Sequence, residues 1–183
     1  MEKLTLLLLL MTFSQGDAAA DGCPTGWSAF GLKCVKFFST PLDWMASEKY
    51  CQTFGGNLVS VHSRSENDLL LNMVPGATRT WIGGHDAVKE GQWMWTDGSV
   101  FDYNYWCTGQ PDNYNNYNEI ALEINFGMNI TDFFKLFKYK VNCINKSVFD
   151  SEKNIVYFIL DNHCWNDDGK AAKHAFICAR SLY

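Results

Sequence analysis

The sequence predicts an α+β domain, and three observations carry that prediction. Two helix-periodic stretches come early, short apolar or alternating strands follow, and a long loop without a clean period precedes the last strands. Residues 41–54 read as the first helix, because Trp44, Met45, Glu48 and Cys51 fall at helical spacing and Gly55-Gly56 stops it. Residues 57–61 read as a short strand. Ser65-Glu66-Asn67-Asp68 opens a second helix over 68–74, which Pro75-Gly76 ends. Trp81-Ile82-Gly83-Gly84 reads as a short buried strand, and residues 93–98 alternate into a turn. Residues 101–118, rich in Tyr, Asn, Asp and Gly, are loop. Residues 120–126 alternate as a strand, and 175–179 close as another.

Met1-Glu2-Lys3 leads into an apolar run at 4–13, and Ala18-Ala19-Ala20 supplies small residues for cleavage. The run is too short to span a bilayer and reads as a secretory signal peptide over 1–20, cut after Ala20 or, alternatively, Ala18. No later stretch is apolar for long enough to make a membrane helix. Residues 21–183 are therefore expected to be a secreted, extracellular domain in an oxidising compartment, with no membrane insertion. The net charge of −5 argues against a nucleic-acid or anionic-membrane partner. Seven cysteines imply disulfides plus one left over. Spacing alone does not choose the pairing, although Cys23 and Cys34 bracket Gly26, Trp27, Phe30 and Gly31 in a way that suits a stapled hairpin.

Gln110-Pro111-Asp112 is the stretch with the most chemistry. A cis Gln110–Pro111 bond would let both flanking side chains face one point, and oxygen ligands at one point suit Ca²⁺. By itself such a tripeptide is a turn. Glu119, Asn166 and Asp167 raise the set to five side-chain oxygen donors, three of them carboxylates. His62, His85, His163 and His174 are scattered, and no nucleophile and base stand at motif spacing, so no enzyme is expected.

Cys51, Trp81-Ile82-Gly83, Trp93-Met94-Trp95-Thr96-Asp97-Gly98, Gln110-Pro111-Asp112, Trp165-Asn166-Asp167 and Cys178 follow the order seen in C-type lectin domains. The sequence closely resembles the small secreted fish lectins of that family, including the ladderlectin type, and the related type II antifreeze proteins. The resemblance covers residues 23–179 apart from one interruption. It implies the C-type lectin-like fold, with two helices flanking short antiparallel sheets and a long Ca²⁺-binding loop. It implies the bridges Cys23–Cys34, Cys51–Cys178 and Cys107–Cys164. One bridge usual in the family is missing here, its two positions being Ala121 and Lys170.

The resemblance also implies a function. Ca²⁺ held by Gln110, Asp112, Glu119, Asn166 and Asp167 would take two vicinal sugar hydroxyls, which the same five side chains would also hydrogen-bond. The mannose-type pattern is Glu-Pro-Asn, whereas here amide and carboxylate are exchanged, which is the family's galactose-type signature. Tyr114 is expected to stack on the apolar face of galactose, with Tyr117 as a second candidate. Asp86 and Glu90 match part of an auxiliary Ca²⁺ site, which is expected to be weak or empty because Asn113 and Ile120 stand where carboxylates would be stronger. The expected partners are galactose-type glycans on cell or microbial surfaces, in innate defence. The alternatives are an ice-binding protein of the type II antifreeze kind and a protein-binding lectin-like module. Weak binding to one sugar would call for several sites on one particle, so a homo-oligomer is left open.

The interruption is residues 127–160. Residues 128–160 contain no Gly, Pro, Ala or Arg, and Phe, Lys, Asn, Ile and Tyr make up 20 of the 33. The segment holds Cys143, which is then a free or intermolecular thiol, and the candidate N-glycosylation sites Asn129 and Asn145. This AT-rich codon bias reads as a retained intron translated in frame. Gly127-Met128 is compatible with a splice donor, and Leu160-Asp161 with an acceptor. Splicing would regenerate Asp and give Phe126-Asp161-Asn162-His163-Cys164, with six cysteines left.

Overall fold

The computed structural model describes residues 22–114, 117–126, 146–150, 155–159 and 163–182 of the 183-residue chain. The expected signal peptide, Asn129, Cys143 and Asn145 lie outside these. Ser28–Phe30 (β1) turns at Gly31 into the ten-residue strand Lys33–Leu42 (β2), and Cys23–Cys34 closes this hairpin. Helix Trp44–Gln52 (α1) follows, then the two-residue strand Asn57–Leu58 (β3) and helix Arg64–Met73 (α2). Thr80–His85 (β4), Met94–Trp95 (β5) and Ala121–Phe126 (β6) come next. Lys146–Asp150 (β7) and Ile155–Ile159 (β8) pair with each other in a separate two-stranded sheet. Cys164–Asp168 (β9) and His174–Ser181 (β10) complete the described strands.

Both helices differ from their sequence reading at the N-terminus, and side-chain caps explain the difference. The first helix was expected from residue 41, but Pro41 and Leu42 finish β2, where Leu42 pairs with His174 of β10. The helix starts after Asp43, whose carboxylate accepts the Ala46 N–H at 2.8 Å. The second helix starts at Arg64, four residues earlier than expected. Ser63 Oγ accepts the Glu66 N–H at 3.2 Å, and Glu66 in return accepts the His62 N–H at 2.7 Å. This is a reciprocal cap of the Ser-x-x-Glu kind.

The main sheet runs β1-β2-β10-β4-β6-β9, with β3 on β10 and β5 on β4. It is mixed rather than antiparallel throughout, because β10 and β4 run parallel. A long crossover separates these two strands in sequence, and only such a crossover permits parallel neighbours. The antiparallel β2–β10 pair joins the two ends of the described chain, and Cys51–Cys178 fastens α1 to the same strand. Gly83 has no room for a side chain: a Cβ there would lie 2.6 Å from the Leu58 carbonyl oxygen. That close approach lets β3 lie against β4 and explains the Trp-Ile-Gly-Gly run.

The core holds Val35, Val59, Leu70, Ile82, Ile124 and Ile177 around Trp165, with a second cluster around Trp44, Trp81 and Phe176. Trp165 orders the first half of the long loop. Its ring meets Phe101, Tyr103 and Trp106 at 6.2, 5.6 and 5.9 Å in edge-on geometry. Its backbone N–H donates to Tyr105 at 2.8 Å, and its C=O accepts from Cys107 at 2.9 Å. Cys107–Cys164 ties the same stretch covalently. The aromatics of residues 101–106 are therefore packing residues, and only the part after Cys107 is free to build a site. Among the described residues no helix is long and apolar enough to cross a membrane.

Candidate metal and ligand site

Antiparallel pairing of β6 with β9 sets Leu122 opposite Asp167 and Glu123 opposite Asn166. Side chains alternate along a strand, so Asn166 and Asp168 face one way and Asp167 the other. Asp167 is 1% exposed, and its carboxylate accepts the Asp112 and Asn113 N–H groups at 3.2 Å each. These two bonds pin the Gln110-Pro111-Asp112 stretch onto β9. The Gln110–Pro111 bond is cis. Glu119 accepts the Tyr114 N–H at 2.7 Å. Single carboxylate oxygens of Asp112, Glu119 and Asp167 thereby lie within 4.8 Å of one another. Gln110, Asp112, Glu119 and Asn166 line one cavity of about 350 Å³, with Tyr114 at its edge.

The electrostatics are those of a site built for a cation. Burial, and then the charges of Asp167, Asp168 and Asp112, push the Glu119 carboxyl above its ordinary range, against the Tyr114 N–H. Asp167 is raised by burial and by Asp112, although three backbone N–H groups pull it down. Gln110 Oε1 is buried with no hydrogen-bond partner among the described residues. An orphaned amide oxygen beside three converging carboxylates fits a hard, oxygen-seeking cation, which would satisfy the one and neutralise the others.

Asn113, read from the sequence only as part of the auxiliary site with Asp86 and Glu90, also bonds to Glu119 and Asp167. Its backbone is left-handed at φ 46°, which Asn tolerates. It donates through N–H to Asp167, accepts the Glu119 N–H on Oδ1 at 2.9 Å, and donates from Nδ2 to Glu90 at 2.8 Å. The Asn113 backbone thus holds the Asp167 carboxylate while its side chain holds the Glu119 backbone and reaches Glu90. Asp86 is 3% exposed, and its Oδ1 has no partner among the described residues.

Behind Asn166 lies a second charged cluster. Glu123 is wholly buried, binds Arg79 through both carboxylate oxygens, and accepts the Asn166 Nδ2–H at 2.8 Å. Asp168 accepts from Arg79 at 2.9 Å and meets His174 Nε2 at 2.8 Å. Burial raises Asp168, but His174 and Arg79 outweigh it and hold the carboxyl low. The Arg79 guanidinium takes the cation's place here, so this trio of Glu, Asp and His is a structural ion-pair network that orients Asn166.

His62 also acquires neighbours invisible in sequence. Nδ1 meets Asp102 at 2.8 Å, and Nε2 meets Ser60 and Ser99 at 3.2 Å each. Both hydroxyls donate to Asp97, at 2.6 and 2.5 Å, so neither offers a free nucleophile to the ring. Burial raises Asp97, yet Ser60, Ser99 and Lys33 together hold it at about 2. The contact is a tie between loops.

Residues 40–180 match the family model of the lectin C-type domain. The chain belongs to the C-type lectin domain family. Members of this family bind carbohydrates and are not enzymes. The galactose-specific lectin nattectin of Thalassophryne nattereri is 45% identical over 98 residues, covering 51% of this chain and 62% of nattectin. Ladderlectin of Oncorhynchus mykiss is 45% identical over 95 residues, covering 50% of each chain. The matched stretch thus spans less than two thirds of either relative. Among solved structures, herring type II antifreeze protein is similar with a TM-score of 0.65 at 27% identity, covering 88% of this chain and all of that one.

Proposed function

We propose that this C-type lectin domain is a secreted, Ca²⁺-dependent lectin for galactose-type glycans. The observation that carries the reading is the convergence of Asp112, Glu119 and Asp167 beside the unpartnered Gln110 Oε1. Gln110, Asp112, Glu119, Asn166 and Asp167 would hold Ca²⁺, which supplies coordination to a vicinal pair of sugar hydroxyls. The carboxylates accept from those hydroxyls, and the amide NH₂ of Gln110 donates to them. The Asn166 NH₂ is held by Glu123 and the Asp167 carbonyl, so Asn166 offers its amide oxygen to the cation. Donor precedes acceptor across Pro111, the order that favours the 3- and 4-hydroxyls of galactose. Tyr114 is 64% exposed at the cavity edge and offers its face to the apolar side of that sugar. The test is retention on galactose resin in Ca²⁺ with elution by EDTA. Elution by mannose as readily as by galactose would overturn the specificity. The double change Gln110→Glu with Asp112→Asn exchanges donor and acceptor at constant charge. It is expected to shift preference from galactose to mannose by roughly tenfold, about 1.4 kcal/mol, in competition elution.

Acid should weaken the site early. With no cation present, Glu119 and Asp167 hold protons more tightly than ordinary carboxyls, whose pKa values lie near about 4. Their folded-state values are raised, so when ionised and metal-free this pair destabilises the fold, and protonation relieves it as pH falls. Bound Ca²⁺ reverses that contribution and competes with the same protons. The Ca²⁺-induced rise in melting temperature should therefore be largest at pH 7 and shrink steadily toward pH 5. A rise that is flat with pH would argue against carboxylate ligands.

Ice binding on the same scaffold is the second reading, favoured by the likeness to herring type II antifreeze protein. Thermal hysteresis in the absence of galactose retention would select it.

A further inference from the structure

We infer that the outer edge of β7 is an interface for a second copy of this chain, so that two copies join their β7–β8 sheets into one sheet of four strands, β8-β7-β7-β8. The two strands are antiparallel, in register from Lys146↔Ile159 to Asp150↔Ile155, and among the described residues no third strand joins them. Each strand thus presents an outer edge of backbone N–H and C=O groups, a template for pairing with another strand. A two-stranded sheet by itself is marginal in water, and further strands stabilise it. β8 reads Ile-Val-Tyr-Phe-Ile, all strand-forming residues, so apolar positions fall on both faces of the pair.

Charge selects the occupant and the edge. β7 reads Lys-Ser-Val-Phe-Asp, and its two ends carry the charged residues of this strand pair. Antiparallel pairing with β7 of a second copy, centred on Val148, sets Lys146 opposite Asp150 twice and Ser147 opposite Phe149 twice. The two-fold axis passes through Val148, as an isologous dimer requires. Unlike charges directly opposite stabilise paired strands, and like charges oppose pairing. The register that pairs all five residues is therefore also the one that matches the charges. The β8 edge has no such mark, because a strand without charge specifies its register weakly. Neither edge of the main sheet fits as well. Tyr105 and Cys107 bond to Trp165 along the outer edge of β9, and β1 is three residues long. A joined pair carries two of the sites proposed above on one particle, which favours a surface of repeated ligands. The pairing itself does not depend on what that site binds.

Sedimentation velocity of the full chain over a concentration series tests this, with Cys143→Ser in every sample so that no disulfide joins two copies. The full chain is expected to sediment as a concentration-dependent dimer, and the variant lacking residues 127–160 as a monomer. Lys146→Asp leaves two acidic ends on β7, and Asp150→Lys leaves two basic ends. Each variant alone should dimerise about tenfold more weakly than the unsubstituted strand, because like charges then stand opposite. An equimolar mixture of the two should recover dimer to within about threefold, since every acidic end then meets a basic one. Recovery in the mixture also shows that both variants are folded at β7. A monomeric full chain overturns the inference, as does a dimer that survives deletion of residues 127–160. Single variants that pair as well as the unsubstituted chain overturn it too, and so does a mixture that pairs no better than its parts. Retention on galactose resin is scored separately and bears only on the lectin reading.

Discussion

Asp167→Ala is expected to abolish Ca²⁺-dependent retention on galactose resin. The side chain supplies one of three converging carboxylates and also holds the Asp112 and Asn113 N–H groups. Its loss removes a ligand and unpins the stretch that carries two others, so the effect exceeds that of deleting one charge. Each freed N–H lies near the loop surface, where water replaces the bond, and stability should fall by only about 1–2 kcal/mol. Asp167→Asn separates the two roles. The amide oxygen still accepts one of the two backbone N–H groups, while its NH₂ faces the other, so the melting temperature in EDTA should lie between those of Asp167→Ala and wild type. Ca²⁺ affinity should nevertheless drop by two orders of magnitude or so, since hard-cation sites depend on ligand charge. Calorimetric Ca²⁺ titration and resin retention read the two effects. Retention of Asp167→Ala on the resin in EDTA, equal to wild type in Ca²⁺, would falsify the metal-dependent mechanism.

A variant lacking residues 127–160 is expected to fold, retain the site, and melt above the full chain. The ends of the two strands that flank the insertion already meet. Phe126 pairs with Cys164, and the Phe126 carbonyl accepts the His163 N–H at 3.2 Å. Deletion leaves Phe126-Asp161-Asn162-His163, in which that bond becomes the first-to-fourth hydrogen bond of a β-turn. Asp and Asn at its two central positions tolerate the positive φ that two-residue hairpins demand. Shortening the connection from 36 residues to two lowers its closure cost by about 2.5 kcal/mol. The variant also loses Cys143, so thiol titration should find no free cysteine beside the three bridges. An insoluble deletion variant, or one that folds without Ca²⁺-dependent galactose retention, would show that the segment is an integral part of the domain. Transcript sequencing then decides whether the 34 codons survive splicing. A dominant mature message carrying them removes the intron reading.

Much of this domain was legible because its signals are local. The spacing of Trp44, Glu48 and Cys51 marked α1, and Trp81-Ile82-Gly83-Gly84 marked β4. Helix starts were not legible to the residue, because Asp43 and Ser63 compete as caps with equally suitable neighbours. Which one wins depends on where β2 ends against β10. The loop at 101–118 looked uniform in composition. Only contact with Trp165 divides it into a packed half and a half that carries ligands.

The site divides the same way. The sequence by itself determined the kind of chemistry available: oxygen donors only, amide before carboxylate around Pro111, and no thiol or imidazole among them. It also determined that a long, compositionally foreign segment interrupts the chain between Glu119 and Asn166. The tertiary structure decided which of those oxygens face one another. The β6–β9 register turns Asp167 toward the loop and Asn166 toward Glu123, and a slip of one residue would reverse both. It also decided that Asn113 spaces Glu119 from Asp167, and that Arg79 pairs with Glu123 and Asp168, while among the described residues no basic side chain forms an ion pair with Asp112, Glu119 or Asp167. Ligand type is a property of individual residues and can be read one at a time. Ligand geometry and charge balance are properties of pairs far apart in the chain, set by strand register and burial.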